Sequence, residues 1–297
     1  MHPRESIIAK KTARIMRAAR KRRGLTQSEI AKLLQTSQAN ISKLENAMLI
    51  PSAPECFEFC DVMKIPAESL RTGTLDARLQ ATVRSEPHEG GFRLPKRYID
   101  SRGTSVRAVM PLLTRAEKTL GDQRLNAALE SMGLDPDVTV ELSNVLNANF
   151  CMDLARLLIK EGAIENGDLT SLDPHYIQPI CHGSLHQDYA GLQVPEELMK
   201  KWYSNIPFYC SNFEYRMEEQ TADNMTLSVK ACDHMKAFPY TGDPVLGDFM
   251  CRYFKQKLGT FPTYNGAPKA KVESLACMHK GDDRCIYKVT LPAAPAA

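Results

Sequence analysis

Cys277 and Cys285 are separated by seven residues, with Gly281 midway between them. The flanking runs Val272–Cys277 and Cys285–Leu291 alternate apolar and polar as strands do, so a hairpin about Gly281 sets the two thiols opposite each other. Such a pair forms a disulfide or half of a metal site. Nine cysteines in 297 residues are too sparse for a disulfide scaffold, and the basic, polar stretch Met1–Lys21 lacks the apolar core of an export signal. The expectation is therefore reduced thiols in the cytoplasm, where a metal is the better reading of the pair. A third thiol is available from Cys251, in the helical stretch Val245–Leu258. The remaining cysteines read as packing residues, including the i, i+4 pair Cys56 and Cys60.

A second group of residues lies at the other end of the chain. Thr26 and Glu29 form a capping box at a helix start, and Leu25 with Ile30 has the spacing of a hydrophobic staple. After the short turn Gln35-Thr36-Ser37, Ser37 can cap a second helix from Gln38 to about Glu45, with Ile41 and Leu44 on its apolar face. Two helices joined this tightly predict a helix-turn-helix, and the small Ala31 permits their close crossing. The outward positions of the second helix are then Gln38, Ala39, Asn40, Ser42 and Lys43. Gln and Asn suit bidentate contacts to adenine, and Lys43 suits a phosphate or a guanine.

The rest of the chain must position these two groups. Residues 1–72 read as short helices, and residues 73–105 as a linker around the run Ser85-Glu86-Pro87-His88-Glu89-Gly90-Gly91. Residues 106–291 read as an α+β domain, and the Pro-Ala tail 292–297 as disordered. In the larger domain helices are expected near Ser105–Leu120, Gln123–Met132, Thr139–Asn147 and Cys151–Glu161. Strands are expected at Asn212–Glu218, Leu227–Ala231, Val272–Cys277 and Ile286–Leu291. The fold class is thus multi-domain, an all-α head followed by an α+β domain with an antiparallel sheet. Eleven Lys and Arg against three Glu give Met1–Asn46 a charge of +8, leaving −5 for the remainder. A basic head on an acidic body fits a polyanion partner or a solvated helix face. No apolar run approaches the roughly 18 residues of a membrane helix. No phosphate-binding glycine loop, Gly-x-Ser-x-Gly elbow or His-Glu-x-x-His motif marks an enzyme.

Six of the 21 aromatic residues, including the only Trp, fall within 202–215: Trp202, Tyr203, Phe208, Tyr209, Phe213 and Tyr215. Such a segment lines a ligand pocket or forms plain core; Phe238 and Tyr240 are placed to close over a ligand. His175, Cys181, His182 and His186 read as a polar loop, with a second metal or haem site as the sharper alternative.

The head resembles the lambda repressor/Cro class of DNA-binding domains over about residues 8–72. The resemblance rests on Arg23-Gly24-Leu25-Thr26-Gln27, Glu29-Ile30-Ala31, Ser37-Gln38, Ile41-Ser42-Lys43-Leu44-Glu45-Asn46, Pro51 and Ile65-Pro66-Ala67-Glu68-Ser69-Leu70. It departs at Gln35, where that class usually has Gly in the turn. The resemblance implies that the helix Gln38–Glu45 enters the major groove and that Gln27 holds a phosphate, with Arg20, Lys21, Arg22 and Arg23 adding backbone affinity.

The C-terminal part is similar to the 4-vinyl reductase-type domain, the small-molecule sensor of aromatic-responsive bacterial activators. The similarity is clear over about 225–291. It rests on the run Gly242–Cys251, on Val272-Glu273-Ser274-Leu275-Ala276-Cys277 and on His279-Lys280-Gly281-Asp282-Asp283-Arg284-Cys285-Ile286-Tyr287. It implies an apolar or aromatic effector, and zinc on Cys251, Cys277 and Cys285 with a carboxylate three residues before the second cysteine. Ser274 occupies that position, so Glu273, His279 or water remains for the fourth ligand. The combined expectation is a cytoplasmic one-component regulator of double-stranded DNA, homodimeric through residues 106–291. A head of about 70 residues has little apolar surface to spare. The alternative is a DNA-binding protein whose body recruits another protein and binds no small molecule.

Overall fold

The computed structural model describes residues 3–76, 92, 94–101, 103–164, 168–237 and 244–293, with the side chains of 3–7 and 244–246 left out. The expected linker core 77–91, Phe238, Tyr240 and the end of the tail fall outside them.

The head is five helices: α1 (Pro3–Arg22), α2 (Gln27–Leu33), α3 (Gln38–Glu45), α4 (Ala53–Met63) and α5 (Glu68–Thr72). The Thr26–Glu29 capping box is formed, a second one joins Ser52 to Glu55, and Ser37 caps α3 through the Asn40 amide. Each satisfies backbone donors that a helix start leaves open. Ile15, Ile30, Ile41, Leu44 and Phe59 fill the space between the helices.

The body begins before the position that composition suggested. Leu75 is buried and bridges to Glu141, while Phe92 and Tyr98, the latter on α6 (Lys96–Ile99), are also core residues. The flanks of the expected linker are therefore packed, because they carry the apolar side chains that the Pro/Gly-rich stretch between them lacks. Next come β1 (Thr104–Ser105), α7 (Val106–Leu120), α8 (Asp122–Ser131), β2 (Val145–Leu146) and α9 (Ala148–Lys160). The helix expected over Thr139–Asn147 does not form; a 3₁₀ turn at Pro136–Val140 and β2 take its place. β-Branched Val138, Thr139 and Val140 weaken a helix there, and Asn144 donates back to the Val138 carbonyl.

Short helices α10 (Asp173–Tyr176) and α11 (His186–Tyr189) lead to α12 (Pro195–Asn205). A four-stranded antiparallel sheet follows, from β3 (Phe213–Gln220), β4 (Asn224–Ala231), β5 (Lys271–Ala276) and β6 (Cys285–Thr290) in the order β3-β4-β6-β5. Helix α13 (Pro244–Thr260) lies between β4 and β5 in sequence and packs on β5 and β6. The fold is thus an all-α head followed by a helix-plus-antiparallel-sheet region. One hydrophobic core runs from Ile15 and Phe59 of the head into Leu112, Leu142 and Phe150 of the body, and a second lies between α12, α13 and the sheet.

Candidate functional sites

Helix α3 presents Gln38, Ala39 and Lys43 fully to solvent, with Asn40 and Ser42 half-buried. The Gln38 amide donates to Gln27 Oε1 at 2.7 Å, and Gln27 donates to buried Glu45 at 2.9 Å. Glu45 also takes a two-pronged ion pair from Arg20. The outer glutamines are thus held in a chain that ends on a buried, paired carboxylate. Gln35 stands at φ +47°, the left-handed turn position at which a Gly was missing.

The cations of α1 have a different destination from the one their sequence position suggested. Arg17 makes two hydrogen bonds to Asp137, at 2.5 and 2.8 Å, and Lys21 binds both Asp135 and Asp137. Arg22 binds Glu141 at 2.9 Å, and Arg23 donates to the Val62 carbonyl. Asp137 and Glu141 are 1% and 3% exposed, so the basic head and acidic body neutralise each other at a buried seam. Burial disfavours the charged form of Asp137, yet the hydrogen bonds of Arg17 and Lys21 hold its carboxyl below the ordinary range. Composition alone could not separate this pairing from a polyanion site, since both need the same charges.

At the far end of the body, Cys251 of α13 lies 3.5 Å from Cys277 and 3.6 Å from Cys285, sulfur to sulfur, and the three form one group. The hairpin places Ala276 opposite Ile286, so Cys277 and Cys285 sit at its neck. The Cys251 thiol and the Met278 amide both hydrogen-bond to the Cys285 sulfur and lower its pKa. Neither candidate fourth ligand belongs to the group. Glu273 is exposed and paired with Lys271, consistent with its position on the other strand face. The His279 ring instead lies on Gly247 of α13, where an added Cβ would come within 2.1 Å of Nδ1. Three thiolates at this separation fit the roughly 2.3 Å zinc–sulfur bonds of a tetrahedral site.

Next to the thiols, α7, α12, α13 and the sheet line a mainly apolar, partly open cavity of about 90 Å³. Its wall includes Trp202, Phe213, Tyr215, Phe254 and Tyr287, and also Cys251, Cys285 and His279. Of the aromatic residues expected at a pocket, Trp202, Tyr209, Phe213 and Tyr215 line it. Tyr203 instead bridges the Tyr215 carbonyl and the Met217 amide, and Phe208 packs against the second core; neither lines the cavity. Lys257 and Tyr253 also line the cavity, and sequence reasoning missed the lysine. Its position at i+3 and i+7 from Phe254 and Met250 on α13 was the available signal.

The cluster His175, Cys181, His182 is buried, not a surface loop. His182 Nε2 donates to the Tyr176 carbonyl and Nδ1 accepts from the Tyr209 hydroxyl, each at 2.7 Å. Burial pushes its pKa down to about 3, so the ring is neutral. Both ring nitrogens are engaged, which leaves none to ligate a metal.

A family model described as helix-turn-helix matches residues 16–70, which are the head alone. The head is accordingly the DNA-binding helix-turn-helix of a transcription regulator. No curated protein matches this chain. Among solved structures, an Fe(II) unliganded H-NOX protein from K. algicida is 11% identical, over 65% of this chain and 99% of that one, at a TM-score of 0.43. A point variant of the same protein is 12% identical, over 63% and 96%, at 0.42. Likeness at this level carries no functional weight. Among the described residues, no helix is long and apolar enough to cross a membrane.

Proposed function

We propose that this chain is a ligand-responsive, one-component transcription regulator and not an enzyme. α3 reads operator DNA, and the body cavity receives a compact apolar or aromatic effector. The observation that carries this reading is the position of the cavity relative to the head. Thr104, Ala108 and Val109 line the cavity at the start of α7. The same turn is bonded to the loop that grips the head, through Val106 to Asn144 and Arg107 to Leu142. A ligand that prefers one arrangement of α7 would bias the seam formed by Asp135, Asp137 and Glu141. We further propose a homodimer, joined mainly through the body, so that two heads meet half-sites about one helical turn apart.

Cys251, Cys277 and Cys285 would hold zinc, with water as the fourth ligand. The metal would supply a structural link between α13 and the last hairpin, making binding energy part of folding energy. Cys251 and Cys285 also line the cavity, so loss of the link would loosen the pocket as well as the hairpin.

Native mass spectrometry of the purified full chain, with and without chelator, tests these assignments together. The expected species is a dimer carrying one zinc per protomer that binds a selected operator duplex. A metal-free species whose melting is indifferent to chelator would remove the zinc. A full chain with no preference among duplex sequences would remove the regulator reading.

A further inference from the structure

The cavity contains a charge that nothing in the described structure answers. Lys257 is half-buried on the cavity wall, and its ammonium lies over the rings of Tyr209 and Tyr253, at 5.4 and 5.7 Å from their centroids. Among the described residues, no hydrogen-bond acceptor or carboxylate partners it. The two hydroxyls beneath it are committed elsewhere, Tyr253 to the Ala108 carbonyl and Tyr209 to His182 and Tyr189. The nearby acids are also taken. Asp173 is held by Thr260, Gln256 and Lys269, and Asp76 by Arg107 and Ser184. The thiols around Lys257 supply no counter-charge, since burial pushes Cys151 and Cys181 up to about 12 and raises Cys210. Burial likewise lowers the pKa of Lys257.

A partly buried ammonium without a counter-ion is costly. Two aromatic faces offset part of that cost and leave the rest to whatever enters the cavity. The remaining wall is apolar and aromatic, which suits a ring. A cavity of about 150 Å³ is known to accept benzene. The present one, at about 90 Å³, is on the scale of one small ring once flexible Met250 and Met278 give way.

We infer that the cavity takes a compact, single-ring carboxylate whose anionic group pairs with Lys257. This rests on the reading of the cavity as a sensor site and names the chemistry of its ligand.

Trp202 is the only tryptophan and lines the cavity, so its emission reports occupancy directly. The full chain would be titrated with benzoate, salicylate and phenylacetate, and with their neutral primary amides, which keep shape and lose charge. At least one acid is expected to change Trp202 emission and to bind at least tenfold more tightly than its amide. Lys257→Met should abolish that preference. Lys257→Arg should restore a preference for the acid. Acids and amides binding alike to the wild type would overturn the carboxylate assignment and leave the sensor cavity standing. That comparison needs no variant and so survives a misfolded Lys257→Met. If none of the six compounds moved Trp202 emission or the melting temperature, both the anion and the sensor reading would fall.

Discussion

The head and the body treat polar groups in opposite ways. Among the described side chains of the head most polar groups stand at the surface, and the deeply buried carboxylate of Glu45 is answered by Arg20 and Gln27. The body buries Arg107 and His182 and satisfies both fully, while Lys257 is half-buried on the cavity wall. A surface that reads DNA needs donors and acceptors free to meet base edges. A pocket that selects a small molecule needs them fixed where water cannot compete. The seam joins both regimes: it pairs Arg17, Lys21 and Arg22 of α1 with Asp135, Asp137 and Glu141 of the body. The net charge of the head therefore overstates the field it offers to a phosphate backbone.

The largest expected effect sharpens that contrast on the head side. Gln38→Ala with Asn40→Ala removes exposed or half-exposed amides and should leave the melting temperature near wild type. Discrimination between operator and random duplex should fall by about 4 kcal/mol, taking about 2 kcal/mol per lost bidentate contact. Quantitative footprinting measures it. Unchanged sequence preference would remove α3 from the groove.

Next comes the seam. Asp137→Ala deprives Arg17 and Lys21 of a 1%-exposed partner, and hydrogen bonds to charged groups contribute about 1.5–3 kcal/mol each. A loss of about 3 kcal/mol in urea unfolding is expected. Arg22→Ala should likewise cost stability, because its guanidinium faces Glu141. If Arg22→Ala weakened DNA binding alone and left stability intact, the cations would belong to the DNA surface after all.

A smaller effect belongs to the interior of the body. His182 is held neutral with its pKa near 3, whereas in the unfolded chain it titrates at about 6.5. The unfolded state therefore binds the extra proton first, so this contribution is complete above about pH 6.5 and is lost as pH falls toward 3. Between pH 7 and pH 5 the expected loss from His182 is about 2 kcal/mol. His175, also lowered by burial, acts in the same direction. Urea midpoints at the two pH values, for the full chain and for residues 1–73, would separate body from head. A flat profile for the full chain would mean that the imidazole gains a proton without cost.

The head was legible in the sequence because its signals are local. Caps, a staple and a short turn fall within about twenty residues, and α3 spans Gln38–Glu45 as their spacing predicts. The terminal hairpin was legible for the same reason, and with it the approach of Cys277 to Cys285. The cavity was not, because Trp202, Lys257 and Thr104 come from segments distant in sequence, and no local period distinguishes a wall from a core. Likewise the linker reading followed composition and could not see that Leu75 and Tyr98 find partners at Glu141 and Phe150. The estimate of spare apolar surface on the head was also too low. Met48 is 78% exposed and Phe57 59%, so substituting both with Ser is the control that a body-mediated dimer should ignore.

The smallest effect tests how each region uses glycine. Gln35 adopts φ +47° with an exposed side chain, while backbone bonds from its own amide and from Thr36 hold the turn. A left-handed residue with a Cβ costs about 1–2 kcal/mol. Replacing it with Gly recovers that strain but adds about 0.5–1 kcal/mol of unfolded-chain entropy. Gln35→Gly should therefore stabilise residues 1–73 by about 0.5–1 kcal/mol, read from their thermal midpoint, with no change in operator preference. The body works the other way round. An added Cβ at Gly103 would meet Asn212 Oδ1 at 1.8 Å, and at Gly183 it would meet Leu142 Cδ1 at 2.6 Å. These glycines are required by what packs on them, so Gly103→Ala should destabilise the body through displacement of Asn212 from Thr104. If Gln35→Gly were destabilising instead, the turn would owe its stability to the glutamine side chain, and the head would lose its standing as the region governed by local backbone rules.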